Sequence, residues 1–438
     1  MQNMHRKRNK NLGLTELIAI ALGGMVGGGI FTILGISVSM IGTLTPIAII
    51  IGGIIAALAA YSYIKLGVYY RDEGATYSFY KKTYPKSAFK ASVIGWFVIF
   101  GYISTLALYA YTFSSYAISG TDYADNILLR KGVAIAVIAL FTIINLWSVN
   151  GMGKIEDIMV YTKLILLTII SIILMQHGTT DFGTFINNMA IDAESSSVLS
   201  ILIVASLTFV AYEGFQLVIN AVNEMSKPEK NIPRAIYSAI ILAILIYVII
   251  AVGALFAIPT EDIIKNQEYA LAAGANDAIG NMGTYLVILG AILASSSAIS
   301  GTVFGSSRQM SVIAKDGYLP SILAKLKNNS PQNAIIAMAI IASILITIGG
   351  LELILEFGSI TFLLVSLLMA IANHKMRKKT NSSSIITIIS IIGLSFGAIL
   401  ILYYELSTNW TELLVIAILY LVLAFGAYLF AKKNSSTA

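Results

Sequence analysis

The sequence contains no cysteine and only three histidines, and charged residues make up 11% of its 438 positions. Without cysteine, neither a disulfide framework nor a thiolate metal site is possible. The histidines, His5, His177 and His374, have no ligand-like partner at metal spacing, and the sequence has no HExxH motif. We therefore expect no metal or other cofactor and no enzymatic activity.

Apolar residues dominate the composition instead. Hydrophobic residues account for 57% of the chain and the mean hydropathy is +0.84, which is far too apolar for a soluble globular protein. A helix of about 20 apolar residues spans a bilayer, and the sequence has twelve runs of suitable length and composition. We predict an all-α integral membrane protein with 12 transmembrane helices.

The basic residues indicate the orientation of the chain. Most of the 28 Lys and Arg residues lie in alternate connections and near the two termini, and cytoplasmic segments carry an excess of these residues. We predict cytoplasmic tails at residues 1–13 and 433–438 of a protein in the cell (plasma) membrane. The net charge of +6 then reflects topology in the lipid bilayer, and we expect no nucleic-acid partner.

A glycine cluster lies within the first predicted span, Leu14–Met40. Residues 23–31 read GGMVGGGIF, although each glycine costs a helix about 1 kcal/mol relative to alanine. One interpretation is close packing, because small residues four positions apart let membrane helices approach one another. The other is a break in the helix, which would expose the backbone amides of Gly27, Gly28 and Gly29 to an anion.

A second irregularity lies in the sixth predicted span. Glu213 stands midway along the apolar segment FVAYEGFQ, where a carboxylate is costly and usually functional. A protonated Glu213 bonded to a neighbouring helix is the structural alternative. The first unit would contain five spans, which is an odd number of crossings. A second unit that starts at the sixth span would therefore be inverted in the membrane relative to the first. This spacing favours two inverted repeats, residues 14–176 and 177–375, an accessory pair at 376–432, and a helix break in each repeat.

Four motifs resemble those of the amino acid–polyamine–organocation superfamily of transporters, in the family's order and over nearly the whole chain. They are GGMVGGGIF at 23–31, FVAYEGFQ at 209–216, NEMSKPEKNIPRAI at 223–236 and AKDGYLP at 314–320. The resemblance implies a LeuT-type fold with a 5+5 inverted repeat and discontinuous helices 1 and 6. It also implies transport of a small-molecule amino acid or related amine by alternating access.

The resemblance also assigns residues to the two ends of the substrate. The backbone around Gly27, Gly28 and Gly29 would hold the carboxylate, since free amides suit an anion. Phe209 would cap the substrate. The amino group of the substrate would be held by backbone carbonyls at Met25, Val210, Ala211 and Glu213. The chain departs from the family pattern at Gly28, where many members have serine, and at Gln216, where many carry an acid.

Lys163 is the candidate residue for energy coupling. It lies in the fifth predicted span, where it either snorkels its ammonium to the interface or carries a proton, since burial disfavours the charged form. The resemblance favours a proton carrier, because in some members a fifth-helix lysine occupies the place where related transporters bind sodium between helices 1 and 8. The ammonium would be received by the carbonyl of Gly23 or Gly24 and by hydroxyls of Ser296, Ser297 or Ser300.

Together these features predict a secondary active transporter that takes up neutral amino acids with protons. An amino acid or amine exchanger, a transport-like sensor and a transporter of cationic amino acids are the alternatives.

The connections between spans carry two further expectations. The long external connection at 258–281 is expected to form short helices at Glu261–Ile264 and Tyr269–Ala273. Glu352, Glu356 and Glu405 lie near span ends and are expected to be solvated.

Overall fold

A computed structural model describes residues 12–147, 152–178, 180–327 and 330–435 of the chain. Every regular element within these ranges is a helix, and two isolated β-bridges join Leu12 to Met225 and Lys327 to Ser330. Backbone polar groups in lipid must be satisfied within the spanning segment, which a helix achieves by itself. The prediction of an all-α membrane protein is confirmed.

The described residues form α-helices named α1 to α17 in chain order. The first nine are α1 (Leu14–Met25), α2 (Gly29–Ile41), α3 (Thr45–Tyr70), α4 (Ala75–Thr83), α5 (Ala88–Ile118), α6 (Ile127–Trp147), α7 (Met152–Gln176), α8 (Phe182–Ser195) and α9 (Val198–Leu207). The others are α10 (Leu217–Asn220), α11 (Pro228–Ala257), α12 (Thr260–Lys265), α13 (Ala270–Lys315), α14 (Gln332–Ile348), α15 (Leu351–Thr380), α16 (Ser384–Thr408) and α17 (Trp410–Ser435). Short 3-10 segments lie at Gly42–Leu44, Thr208–Tyr212 and Ser321–Ala324.

The number of spans differs from the sequence prediction. Within the described ranges, 10 helical stretches are long and apolar enough to cross a membrane, whereas the sequence predicted twelve. The ninth predicted span is α14, which has only 17 residues. The first two predicted spans share one stretch, Gly29–Tyr70, because the turn at Gly42, with φ +56°, ends α2 without an intervening loop.

Short helices lie in the connections between spans, as expected for residues 258–281. Residues 258–281 form α12 and the beginning of α13, and α13 changes direction at Gly280, where φ is +73°. The connection before α9 forms α8, whose first turn is capped by the carboxylate of Asp181.

The interrupted first helix lies inside the bundle. The α1 segment packs against α11, α10 and α13, whereas α2 packs against α9 and α5. Long helices enclose them, with α5 along α13 and α15, and α11 along α3 and α7. The largest apolar cluster therefore surrounds the ends of α1 and α2, and it includes Met25, Ile30 and Phe209.

Helix α17 extends further than the sequence indicates. The predicted C-terminal tail begins at residue 433, but α17 continues to Ser435, where the side-chain amide of Asn434 donates to the carbonyl oxygen of Asp316 at 2.7 Å. Residues 1–11 of the predicted N-terminal tail and residues 436–438 lie outside the described ranges.

Candidate functional site

The first helix is interrupted at Val26–Gly28, inside the glycine cluster. The amide of Val26 still donates to Leu22, and the amide of Gly27 donates to the Met25 carbonyl at 2.9 Å. The next helix starts at Gly29 with Gly28 as its N-cap, so the amides of its first turn lack an intrahelical acceptor. Of the three glycines predicted to bind an anion, Gly28 and Gly29 begin the new helix, whereas the Gly27 amide is used within the break.

The sixth predicted span is interrupted at Glu213 and Gly214. After α9 the chain tightens into the 3-10 segment, then Glu213 is extended and Gly214 adopts φ +126°. A Cβ on Gly214 would lie 2.4 Å from the carbonyl carbon of Gly24, which is closer than any real contact. Two glycines therefore let the backbones of the interrupted helices touch, so both predicted functions of the cluster, packing and interruption, occur in the same segment.

A tyrosine hydroxyl bridges the two interrupted helices. The hydroxyl oxygen of Tyr247 in α11 lies 2.8 Å from the carbonyl oxygen of Met25 and 2.9 Å from that of Ala211. A phenol has one proton, so it donates to one of these carbonyls at a time. Both carbonyls were predicted to bind the substrate amino group, and sequence reasoning missed Tyr247 because it lies in an ordinary apolar helix.

The other residues predicted near the amino group are buried beside this bridge. Phe209 and Val210 are buried, and the Val210 carbonyl accepts from the amide of Glu213 at 3.2 Å. A Cβ on Gly29 would lie 3.2 Å from the Cβ of Ala211, so the start of α2 directly faces the 3-10 segment.

Glu213 lies in a buried polar network. Its Oε2 accepts from the Nε2 of Gln216 at 2.6 Å, and the same nitrogen lies 3.1 Å from the hydroxyl of Tyr102. The Oε1 of Glu213 is buried and has no hydrogen-bond partner among the described residues. Gln216, which departs from the family pattern, therefore holds one carboxylate oxygen and leaves the other available.

Lys163 is fully buried in α7, with an exposure of 0%, so it does not snorkel to the interface. Its Nζ donates to the Gly23 carbonyl at 2.8 Å and lies 3.5 Å from the hydroxyl of Ser297. The lysine thus joins α7 to α1 and α13. Of the other two serines, Ser300 is buried with its hydroxyl unpartnered in the described ranges, and Ser296 is also buried.

Two hydroxyl residues that the sequence did not indicate face Gly28. A Cβ on Gly28 would lie 2.9 Å from the Oγ of Ser295 and 2.9 Å from the Cβ of Thr112. The Thr112 hydroxyl is paired with Thr32 at 2.5 Å, whereas the buried hydroxyl of Ser295 has no partner in the described part of the chain. The sequence gives no signal for this pair, because serine is common at membrane helix contacts. The pair is evident only where three helices meet in the structure.

A large vestibule leads to the interrupted helices from one end of the bundle. It has a volume of about 1200 Å³ and is lined by α1, α4, α13 and the α3–α4 connection, including Ala19, Gly23, Lys81 and Asp316. A small cavity of about 40 Å³, lined by Tyr102, Glu213 and Ser297 among others, shares Gly23 with it. The candidate site is therefore approached from the end of the bundle that carries α4.

The vestibule wall is held by paired charges. Asp316 accepts from the Lys81 ammonium and from the Tyr77 hydroxyl, each at 2.8 Å. Burial, followed by this bond to Asp316, raises the pKa of Tyr77 far above its ordinary value, so the phenol remains a donor. Burial alone would raise the pKa of Asp72, but hydrogen bonds from Lys82 and the Gly74 amide outweigh it and bring the pKa below its ordinary value.

The opposite end of the bundle is closed. Arg130 at the start of α6, which is 4% exposed, pairs with Glu268 in the connection between α12 and α13. This connection rests on α2, because a Cβ on Gly35 would lie 2.0 Å from the carbonyl oxygen of Gln267. On the other side, the Asp192 carboxylate of α8 accepts from the Thr43 amide at 2.8 Å. Among the described residues, the vestibule opens at one end of the bundle and these contacts close the other.

Interrupted helices that meet beside a vestibule are typical of membrane transporters. The chain belongs to the amino acid permease family, which matches residues 12–434.

Three relatives span most of the chain. It is 27% identical over 435 residues to the inner membrane transport protein YbaT of Escherichia coli, with 98% of both chains covered. It is 26% identical over 423 residues to the large neutral amino acids transporter small subunit 2 of Homo sapiens, covering 93% of this chain and 77% of that protein. An uncharacterized protein of Methanocaldococcus jannaschii is 28% identical over 411 residues, with 92% of this chain and 91% of that protein covered.

The family is one of amino acid permeases, and the Escherichia coli and human relatives are named as transporters. Two predictions are therefore confirmed: the resemblance to the amino acid–polyamine–organocation superfamily, and the absence of enzymatic activity. The protein is a multi-span membrane transporter of amino acids.

Proposed function

We propose that this protein is a secondary active transporter that takes up neutral amino acids together with protons by alternating access. It would lie in the cell membrane with both termini in the cytoplasm. Twelve spans would form two inverted repeats, residues 14–176 and 177–375, and an accessory pair at 376–432. The name of the human relative, a transporter of large neutral amino acids, supports neutral substrates.

The substrate would lie between the two interruptions with its charged ends on exposed backbone. Its carboxylate would accept from the amides of Gly28 and Gly29, where the helix dipole also favours an anion. Its ammonium would replace the Tyr247 hydroxyl against the carbonyls of Met25 and Ala211. An ammonium has three donors, so it would satisfy both carbonyls at once, which the phenol cannot.

The observation that carries the coupling proposal is the 2.8 Å contact between the Lys163 ammonium and the Gly23 carbonyl. A charged donor makes a hydrogen bond about twice as strong as a neutral one, so protonated Lys163 would hold α1 against α7 and α13. Loss of the proton to the cytoplasm would loosen these helices and favour inward opening. Coupling follows because the proton and the substrate then bind the two conformations unequally.

The described conformation would be the inward-open state before the proton leaves Lys163, since its Nζ still contacts the Gly23 carbonyl. The vestibule is lined by α4, including Lys81 and Lys82, and the excess of basic residues in this connection supports a cytoplasmic location. The Arg130–Glu268 pair would close the outer side.

The experiment that tests the function is uptake of labelled amino acids into proteoliposomes, with and without an inward proton gradient and without sodium. We expect gradient-driven accumulation of neutral amino acids by the wild type. We expect Lys163→Ala to lose the response to the gradient. Thr168→Ala, which removes an exposed hydroxyl from the same helix, is the matched control and should respond as the wild type does.

Two results would contradict the proposal in different ways. If Lys163→Ala responds to the gradient as the wild type does, the lysine does not couple transport to protons. If uptake occurs only into liposomes preloaded with amino acids, the protein is an exchanger, and Lys163 is a fixed charge that holds the helices together.

Cationic amino acids are the second candidate substrates, because the Oε1 of Glu213 is buried without a partner in the described ranges. A basic side chain that reached the small cavity would pair with this oxygen. If Glu213→Gln selectively lowers uptake of lysine and arginine relative to alanine and leucine, the substrate is cationic. An unchanged ranking of these substrates leaves neutral amino acids as the proposal.

A further inference from the structure

Three glutamates converge where α15, α16 and α17 meet, at the end of the bundle opposite the vestibule. Glu356 lies in the second turn of α15, Glu405 in the last turn of α16 and Glu412 in the first turn of α17. One carboxylate oxygen from each lies within 4.8 Å of the others. The expectation that Glu356 and Glu405 are solvated is wrong, because they are only 4% and 1% exposed; the helices α16 and α17 cover them.

Two of the three carboxylates have an oxygen that is buried and unsatisfied. The Oε2 atoms of Glu356 and Glu405 are both buried, and neither has a hydrogen-bond partner among the described residues. A buried carboxylate is costly unless it is paired or coordinates a metal. Carboxylates this close also repel one another, so the cluster is stable only if protons or a bound cation neutralise it.

We propose that Glu356, Glu405 and Glu412 bind a calcium ion. Calcium takes about 6–8 oxygen ligands at about 2.3–2.6 Å, with carboxylates binding through one or both oxygens. Oxygens on opposite sides of one such ion lie about 5 Å apart, so three oxygens that all lie within 4.8 Å of one another can ligate the same ion. The three carboxylates supply up to six oxygens, and water can complete the shell through the half-buried Glu412.

Shared protons fit the same residues less simply, because two protons are needed to join three carboxylates, whereas one divalent ion contacts all three. Magnesium fits less well also, because it demands near-ideal octahedral geometry and retains its water ligands. The exposed Glu352 lies one helical turn before Glu356 and is not a member of the cluster.

The ion would join the last two helices to the substrate region. Helix α15 contacts the 3-10 segment of the candidate site, and its Ser359 hydroxyl donates to the carbonyl of Leu207 at 2.8 Å. By the proposed topology the cluster lies on the outer side, where calcium is supplied from the medium. Calcium binding is independent of which substrate is transported and of what drives transport.

The experiment uses the purified full-length protein and two probes, calcium and terbium. Trp410 stands two residues before Glu412 and is exposed, so its excitation should sensitise luminescence of terbium bound in the calcium site. We expect a saturable signal that calcium competes away, together with a calcium-dependent rise in Tm that a chelator reverses. Glu405→Gln should weaken calcium binding by about tenfold or more, since even outer-shell changes at metal sites cost that much.

Matched variants distinguish loss of the calcium site from loss of the fold. Glu352→Gln removes an exposed carboxylate from the same end of α15 and should retain calcium binding. Glu412→Gln changes the least buried ligand and should weaken binding if Glu405→Gln does not fold. A wild-type protein with no competed terbium signal and no effect of millimolar calcium on Tm would overturn the proposal. So would a Tm that rises on acidification and is indifferent to calcium, since the carboxylates would then share a proton.

Discussion

The side-chain oxygen of Ser295 lies 2.9 Å from the point where a Cβ on Gly28 would stand. Many members of the superfamily carry serine at the position of Gly28, whereas this chain places a hydroxyl there from α13. The Ser295 hydroxyl is buried and has no partner in the described ranges. It is therefore available to the substrate carboxylate proposed at the start of α2.

Ser295→Ala should raise the KM for the substrate by about tenfold, because a hydrogen bond to a charged group contributes about 1.5–3 kcal/mol. Gly28→Ser alone should also impair uptake, since its Cβ would crowd Ser295 and Thr112. The double variant should recover part of the loss, as the new hydroxyl occupies the space that Ser295 leaves. Kinetics of uptake in a double-mutant cycle measure this coupling.

The control for this cycle is Ser343→Ala, because the Ser343 hydroxyl bonds to its own helix at Ala339 away from the site. Strictly additive effects of the two substitutions would show that Ser295 does not replace the missing hydroxyl.

Alanine at Gly24 or Gly214 should prevent the interrupted helices from touching. A Cβ on Gly24 would lie 2.6 Å from the Cδ1 of Leu217, and Gly214 also adopts a φ of +126° that costs another residue about 1–3 kcal/mol. We expect both variants to lose transport and to show a lower Tm. Gly393→Ala, with no atom within 4 Å of the new Cβ, is the control and should behave as the wild type in both measurements. Equal behaviour of all three variants would show that transport does not depend on the close contact at Gly24 and Gly214.

Tyr247→Phe should destabilise the substrate-free protein by about 1–3 kcal/mol, because it removes a side-chain donor to the carbonyls of Met25 and Ala211. A bound substrate would restore donors through its ammonium. The rise in Tm on adding substrate should therefore be larger for this variant than for the wild type.

Tyr212→Phe is the matched control, since its hydroxyl donates to Ile49 instead and its ring stands 5.4 Å from that of Tyr247. Its Tm should fall without extra recovery by substrate. Equal substrate-induced shifts in all three proteins would place the amino group elsewhere.

Glu268→Gln should weaken closure of the outer side and lower the inward-open population, because it leaves the buried Arg130 without its charged partner. The chain has no cysteine, so Ala19→Cys in the vestibule provides a single labelling site. We expect a maleimide to react several-fold more slowly with that site when Glu268→Gln is also present. Glu261→Gln, at an exposed carboxylate of α12, is the control; identical rates in all backgrounds would show that the Arg130 pair does not hold the outer side closed.

The pattern of the sequence was sufficient for the features that depend on neighbours along the chain. Hydropathy indicated a helical membrane protein, because each span must be apolar over its own length. The glycine cluster and Glu213 indicated the two interruptions, since residues of low helix propensity or high cost in lipid mark them locally. Motif order identified the family over the whole chain.

The features that depend on distant residues required the tertiary structure. Hydropathy predicted twelve spans, whereas 10 helical stretches in the described ranges are long and apolar enough to cross a membrane; only the structure shows that α2 and α3 are joined without a loop. Glu356 and Glu405 lie near helix ends, and only the packing of α16 and α17 shows that they are buried. Tyr247 and Ser295 carry no local signal, because their roles come from the carbonyls and the glycine that other helices place beside them.

The sequence by itself therefore determined the helical membrane class, the family and the two points at which spans are interrupted, because these follow from composition and local pattern. The tertiary structure alone decided which groups meet at those points: Lys163 with Gly23, Tyr247 with Met25 and Ala211, and Ser295 with Gly28. The physical reason is that hydrogen bonds and close contacts act over a few ångströms in space, whereas these partners are separated by many residues along the chain.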